Sequence, residues 1–252
     1  MKIIDCHTHI STSAIETYNT PDTVESLICD LKNHGISAAL FCPMAATMCK
    51  NEEALVRGNE EALELYEKYP DFLYPGTGFH PDFFEKSLYY MDKFCEQGIV
   101  WTGENLSYHT NILFDDERWM KIFRIACERN LIVQLHNAPE VEFVAKNLPD
   151  LTIVGSHLNP DVIPNLVKYP NVYIDISGMN GGLIRGHLRR GKALFGADRL
   201  LFGSDFPGYD VLPFVEICKR DLTVEEQEKI FAGNLLALLK KHGAKSAFGM
   251  TL

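Results

Sequence analysis

Short runs of apolar and β-branched residues recur along the chain, and between them lie longer stretches whose apolar positions return every three or four residues. The short runs predict strands near 2–7, 37–42, 72–79, 99–104, 131–136, 151–157, 171–176 and 199–204. The amphipathic stretches predict helices over about 21–34, 51–69, 82–97, 115–130, 139–148, 161–168, 184–196 and 223–241. In the fourth of these, Trp119, Ile122, Phe123 and Ala126 fall at i, i+3, i+4 and i+7, so one face is apolar and must pack on something. The last begins with Thr223 and Glu226, the spacing of a capping box. Eight strands alternating with eight helices predict an α/β fold of the (β/α)8 TIM-barrel type, with residues 1–252 as a single domain. An open doubly wound sheet is the alternative, but no G-x-G-x-x-G follows the first strand.

Composition narrows this further. The chain has 252 residues, 46% hydrophobic and 23% charged, enough for one large core, and no Pro/Gly/Ser-rich linker divides it. Its formal net charge of -10 disfavours nucleic acid or an anionic membrane as partner without identifying one, and a small-molecule substrate is the expectation. Homo-oligomerisation is compatible with this composition. Seven scattered cysteines without a C-x-x-C pair read as free thiols. Met1 to Asp5 run straight into a charged motif, leaving no apolar leader, and no stretch of about 18 apolar residues occurs. A reducing cytoplasm is the expected location.

In such a barrel, chemistry is expected at the C-terminal ends of the strands. There the sequence places Asp5-Cys6-His7-Thr8-His9, then His80, Glu104, His136, His157 and Asp205, all but Cys6 and Thr8 being histidines or carboxylates able to ligate a metal. His7 and His9 stand two apart on an extended segment, so both imidazoles point the same way and can reach one ion. Five of nine histidines lie at or just past strand ends. A lone strand-end histidine more often hydrogen-bonds to the backbone, and His80 is placed in that class, with a place in the pocket as its other role. His34 and His242 each precede a glycine at a helix end and are expected to cap it. Asp205 follows the apolar run Leu200-Leu201-Phe202-Gly203; a carboxylate emerging there needs a cation or a hydrogen-bond network. Arg185, beyond the seventh strand, could hold a carboxylate or phosphate, and Asn105, Tyr108, Asn137 and Tyr209 are candidate pocket lining.

These residues resemble the amidohydrolase superfamily, within it the group typified by amidohydrolase-2 and carboxymuconate-semialdehyde decarboxylase-like proteins. The resemblance spans most of the chain. It rests on Asp5-Cys6-His7-Thr8-His9, Leu135-His136, Gly155-Ser156-His157, Asn171-Val172-Tyr173-Ile174-Asp175, the stretch from Asp198 to Pro207, and Ile230 to Leu239 with Gly233-Asn234. Gly78-Phe79-His80-Pro81 and Gly103-Glu104-Asn105 look instead like motifs of TatD-type metal-dependent deoxyribonucleases, in which the strand-four glutamate bridges two metals.

What the resemblance implies is a metal-dependent hydrolase carrying one or two divalent ions, zinc first given the nitrogen-rich ligands, with manganese and iron as alternatives. His7, His9, Glu104, His136, His157 and Asp205 are the implied ligands. With two ions, His7, His9 and Asp205 would hold the more buried one, His136 and His157 the more exposed one, and Glu104 would bridge. Asp205 is the implied general base, and His157 either binds the second metal or polarises the substrate. His80, Asn105, Tyr108 and Arg185 are the candidate substrate contacts. The bond cleaved is an ester, lactone, amide or phosphoester. The alternatives are a non-oxidative decarboxylase or other lyase using the same histidines and Asp205, and a metal-binding protein without turnover.

Overall fold

The computed structural model describes all 252 residues. Eight parallel strands form its centre: β1 (Ile4–Thr8), β2 (Ala38–Phe41), β3 (Leu73–Pro75), β4 (Trp101–Asn105), β5 (Ile132–His136), β6 (Thr152–Ser156), β7 (Val172–Asp175) and β8 (Leu200–Leu201). They pair in chain order as two arcs, β1 to β3 and β4 to β8. Backbone hydrogen bonds close both seams. Thr77 N–H donates to Trp101 O (3.2 Å) and Gly103 N–H to Thr77 O (2.8 Å) at one seam, and Cys6 N–H donates to Phe202 O (2.9 Å) at the other. The sheet is therefore a closed barrel with helices outside it, a TIM barrel, and no strand edge is left free.

The strands are almost wholly buried because both faces are covered, which is why they read as continuous apolar runs. Around them, the predicted stripe on the helix Glu117–Glu128 packs inward: Trp119, Ile122, Phe123 and Ala126 are all fully buried. One continuous core runs from Ile3 to Phe248.

Four helices depart from the expected layout: Thr12–Tyr18, Met44–Thr47, Ser107–Thr110 and Val211–Asp221 stand where loops were predicted. The predicted helix 223–241 is divided. Val224–Glu228 and Asn234–Lys241 are joined by a wider π turn at Lys229–Gly233, whose Ile230 carbonyl accepts from Phe202 N–H (2.9 Å). Its capping box is present, with Thr223 Oγ1 accepting from Glu226 N–H (3.3 Å) and Glu226 Oε2 from Thr223 N–H (2.9 Å). Asn234 ties the last helix to β8 by donating to the carbonyls of Ala197 and Leu200, both at 2.7 Å.

His34 caps its helix as expected, with Nδ1 3.0 Å from Asp30 O. His242 does more than cap. It is buried, its Nδ1 donates to Asn130 O (2.7 Å) and its Nε2 lies 2.9 Å from Thr152 Oγ1, so it pins the last helix to the N-terminal face of the barrel.

Candidate metal centre

At the opposite, C-terminal face, β1, β4, β5 and β6 and the loop after β8 deliver side chains into one small cavity. His7 lies in β1 and His9 just past its end, with ring centroids 5.3 Å apart, as their spacing required. Both rings are anchored through Nδ1. His7 Nδ1 lies 2.9 Å from Asp175 Oδ2, and His9 Nδ1 donates to Cys42 O at 2.8 Å. His157 repeats the arrangement, its Nδ1 2.9 Å from the Ser177 carbonyl. A neutral imidazole that donates through Nδ1 carries its lone pair on Nε2. All three Nε2 atoms turn toward Glu104, those of His7 and His9 toward Asp205 as well, and His7 Nε2 is buried without any hydrogen-bond partner.

Glu104 stands at the centre. Its Oε2 is 3.5 Å from His7 Nε2 and 3.9 Å from His9 Nε2, while its Oε1 is 3.0 Å from His136 Nδ1 and 3.8 Å from His157 Nε2. Asp205 Oδ1 lies 3.2 Å from His9 Nε2 and 3.7 Å from His7 Nε2. The structure thus brings together all six predicted ligands, His7, His9, Glu104, His136, His157 and Asp205.

Local backbone makes this possible at some cost. His157 and Asp205 are both non-glycine residues in the left-handed region, each with φ of 71°. Asp205 is held there by its N–H, which donates to His7 O (2.8 Å). Beside His157, Gly178 has φ of 67°, and a Cβ on it would lie 2.6 Å from His157 Nδ1; only glycine leaves room for the ring.

The electrostatics follow from burying carboxylates among imidazoles. Burial alone would raise Glu104, but His7 and His136 outweigh it and hold its carboxyl well below the usual range. Burial alone would lower His7, yet Asp175 and Glu104 raise it well above the ordinary histidine value. For His157 burial prevails and the ring is pushed down toward its neutral form. Asp5, buried under the site and accepting from His7 N–H, Ser204 N–H and the Ser204 hydroxyl, is raised to about 7 by burial, with those bonds opposing. The cluster is a negative, water-poor site that draws protons onto imidazoles. A divalent cation satisfies the same field.

Among the other sequence-predicted residues, Tyr108 lines the cavity, its ring edge-on to His136 at 5.0 Å. Three candidate contacts stand outside the cavity wall. His80 caps the short turn Pro81–Phe83, its Nδ1 accepting from Asp82 N–H (3.2 Å) and its own N–H donating to Ser87 Oγ (3.0 Å). Asn105 is turned to β5, donating to Gln134 O (3.1 Å). Arg185 is exposed at the surface. Asn137 supports the site from behind, donating to His157 O at 2.6 Å; Tyr209 is half-buried outside the lining.

Sequence reasoning missed the groups that orient the cluster's histidines. Asp175 ends β7 as the candidate ligands end their strands, so the signal was present; Gln134 and Ser177, which bond to it, gave none. It also missed Tyr18, Met44, Thr47, Met48 and Leu106, which complete the cavity wall.

A closed parallel barrel whose C-terminal strand ends bring histidines and carboxylates together is a TIM barrel with a group of side chains that could hold a metal. Residues 4–241 match the amidohydrolase family, and the chain belongs to it. No curated protein matches it in sequence. Among solved structures, it is similar to an uncharacterized TIM-barrel protein from Bordetella bronchiseptica, with 21% identity and TM-score 0.76 over 96% of this chain and 100% of that one. It is similar to a candidate 2-pyrone-4,6-dicarboxylic acid hydrolase from Pseudomonas putida, with 18% identity and TM-score 0.73 over 99% and 98%. A dihydroxybenzoic acid decarboxylase from Polaromonas sp., solved with manganese and the inhibitor 2-nitroresorcinol, gives 15% identity and TM-score 0.71 over 95% and 97%.

Proposed function

We propose that the protein is a metal-dependent hydrolase that cleaves an ester, lactone, amide or phosphoester bond of a small molecule by activating water. The observation that carries this reading is Glu104, whose two carboxylate oxygens face separate histidine pairs, His7 with His9 and His136 with His157. The residues fit a metal: His7 Nε2 is buried with no partner, and the Nδ1 atoms of His7, His9 and His157 are tied to oxygens as second-sphere partners tie ligand histidines. His7, His9 and Asp205 would hold one ion, His136 and His157 a second, with Glu104 shared. A further grouping of His7, His157 and Asp175 is already satisfied by internal hydrogen bonds and is read as support. A divalent ion in such a site, zinc, manganese or iron, supplies positive charge that acidifies water and polarises a substrate oxygen.

The chain's own groups do the rest. Asp205 faces the cavity with a carboxylate whose backbone is locked by the His7 carbonyl, so it can take a proton from water and return it to the leaving group without moving. His157, kept neutral by burial and donating through Nδ1, offers a lone pair at Nε2; it can ligate or accept a proton, but in this form cannot donate to an oxyanion. Tyr18 and Tyr108 line the cavity beside these groups.

A second reading, non-oxidative decarboxylation, is favoured by the fold similarity to the manganese-containing decarboxylase. The deciding experiment is metal quantification on protein purified without chelator, then a screen of esters, lactones, amides and phosphoesters against carbon dioxide release from aromatic acids. Two metal equivalents and hydrolysis are expected, with Glu104→Gln losing the second equivalent selectively. One equivalent, unchanged in Glu104→Gln, together with carbon dioxide release would replace the hydrolase reading by the lyase. All seven cysteines are free and no helix is long and apolar enough to cross a membrane, consistent with a place in a reducing compartment.

A further inference from the structure

On the strength of the hydrolytic reading above, we infer that the substrate is compact and carries no anionic group beyond the one that reacts: a neutral lactone, ester or cyclic amide, not a dicarboxylate. The cavity has two unlike walls. One is the ligand cluster with Glu104 and Asp205. The other is made by Tyr18, Met44, Met48, Leu106 and Tyr108, with Thr47 as the remaining polar member. The Thr47 hydroxyl is already engaged with Pro43 O (3.2 Å) and Cys42 Sγ (3.1 Å). No lysine or arginine lines the cavity.

A carboxylate remote from the reacting group would lie among thioether, aliphatic and phenol groups with no lysine or arginine to pair with. Without a cation there, its burial is unfavourable. The phenols of Tyr18 and Tyr108 in this wall are neutral donors available to a carbonyl or ether oxygen. Lys50 and Arg57 belong to an adjacent cleft that shares only Met44 and Met48 with the cavity, so the two methionines stand between those cations and the site.

Size points the same way. The cavity measures about 70 Å³, against roughly 150 Å³ for an apolar cavity that takes up benzene. The buried part of the substrate is then a few heavy atoms, or one small ring admitted by rotation of flexible methionines.

A matched pair tests this: 2-pyrone, which is neutral, against 2-pyrone-4,6-dicarboxylate, the same ring with two carboxylates, given to metal-loaded enzyme. We expect kcat/KM for the neutral ring to exceed that for the dianion by on the order of tenfold or more. Binding is measured independently of turnover by saturation-transfer NMR with benzamide and isophthalate, benzamide being the expected binder. Faster turnover of the dicarboxylate, tighter binding of isophthalate, or no binding of benzamide at millimolar concentration would overturn the inference. Binding of benzamide alone with neither pyrone hydrolysed would count against the hydrolase reading and leave the charge selection standing. Met48→Lys, which brings a cation to the apolar wall, should shift the preference toward isophthalate by about tenfold; an unshifted preference in a folded variant would also overturn it.

Discussion

Asp175 contributes nothing to the cavity wall, yet two of the cluster's histidines, His7 and His157, are held by it. Its Oδ2 lies 2.9 Å from both His7 Nδ1 and Gln134 Nε2, and its Oδ1 accepts from His157 N–H (3.1 Å) and Ser177 N–H (3.0 Å) as well as from the Ser177 hydroxyl. Such a carboxylate fixes ring orientation and tautomer and raises ligand basicity. Asp175→Asn should therefore leave the barrel folded and weaken metal binding about 10–100-fold, as read by competition titration with a chromophoric chelator; unchanged affinity would confine Asp175 to a packing role. Asp205→Asn should behave differently. It keeps the backbone bond to His7 and most of the metal but loses turnover by on the order of 10²–10⁴, the usual worth of acid–base catalysis. Retained activity in that variant would transfer the proton-accepting role, with His157 as the next candidate. The contrast between these residues also shows how far a sequence can be read. Asp205 stood out because it ends an apolar run and faces histidines on other strands, whereas Gln134 and Ser177 matter only through a carboxylate that first has to be placed by β7.

At the level of elements, what periodicity could resolve depended on length. The helix Glu117–Glu128 has three turns, enough for an apolar stripe to declare itself, and Trp119 stacks on Phe123 at a centroid distance of 5.3 Å as that stripe implies. Thr12–Tyr18, Met44–Thr47 and Ser107–Thr110 span seven, four and four residues, too few to show a period. These short helices bring Tyr18, Met44 and Tyr108 to the cavity, so the candidate ligands were legible and the wall opposite them was not. Val211–Asp221 is another matter. Val211, Phe214, Val215 and Cys218 carry a helical stripe, but Pro207-Gly208 before it and Pro213 within it read as loop punctuation. Pro213 falls in the first turn, where its missing N–H costs no intrahelical bond. If that stripe is what docks the helix, Phe214→Ala should cost about 3–5 kcal/mol of stability, whereas Leu212→Ala, at an exposed position, should cost within about 0.5 kcal/mol. Urea unfolding of the two variants distinguishes this from a helix held only by its Asp210 cap, for which the costs would be alike.

Across the whole molecule the two ends of the barrel do different work. The C-terminal face buries carboxylates among imidazoles, while the N-terminal face is tied by hydrogen bonds that include those of His242. That histidine donates through Nδ1 to Asn130 O, and its Nε2 meets the Thr152 hydroxyl, which is the donor of that bond when the ring is neutral. Burial holds its pKa below the ordinary histidine value against the Asn130 bond, with Lys241 adding to the effect of burial. The sign of the linkage follows. Above the unfolded value of about 6.5 the ring is neutral in both states and its contribution to stability is complete. As pH falls through that value the unfolded chain takes up a proton that the folded one resists, and the contribution is lost until the lowered folded value is passed. His242→Gln, which has no proton to gain, should thus be less stable than the native chain at pH 7.5 by about 1–3 kcal/mol, the cost of leaving buried partners unsatisfied. The gap should narrow by pH 5.5. Urea midpoints of both proteins at the two pH values measure it, and the subtraction removes every other titrating group the two chains share. A gap that stays constant would mean that His242 does not titrate in this window. The N-terminal face would then be tied by packing of the last helix, with no contribution from the ring's protonation state.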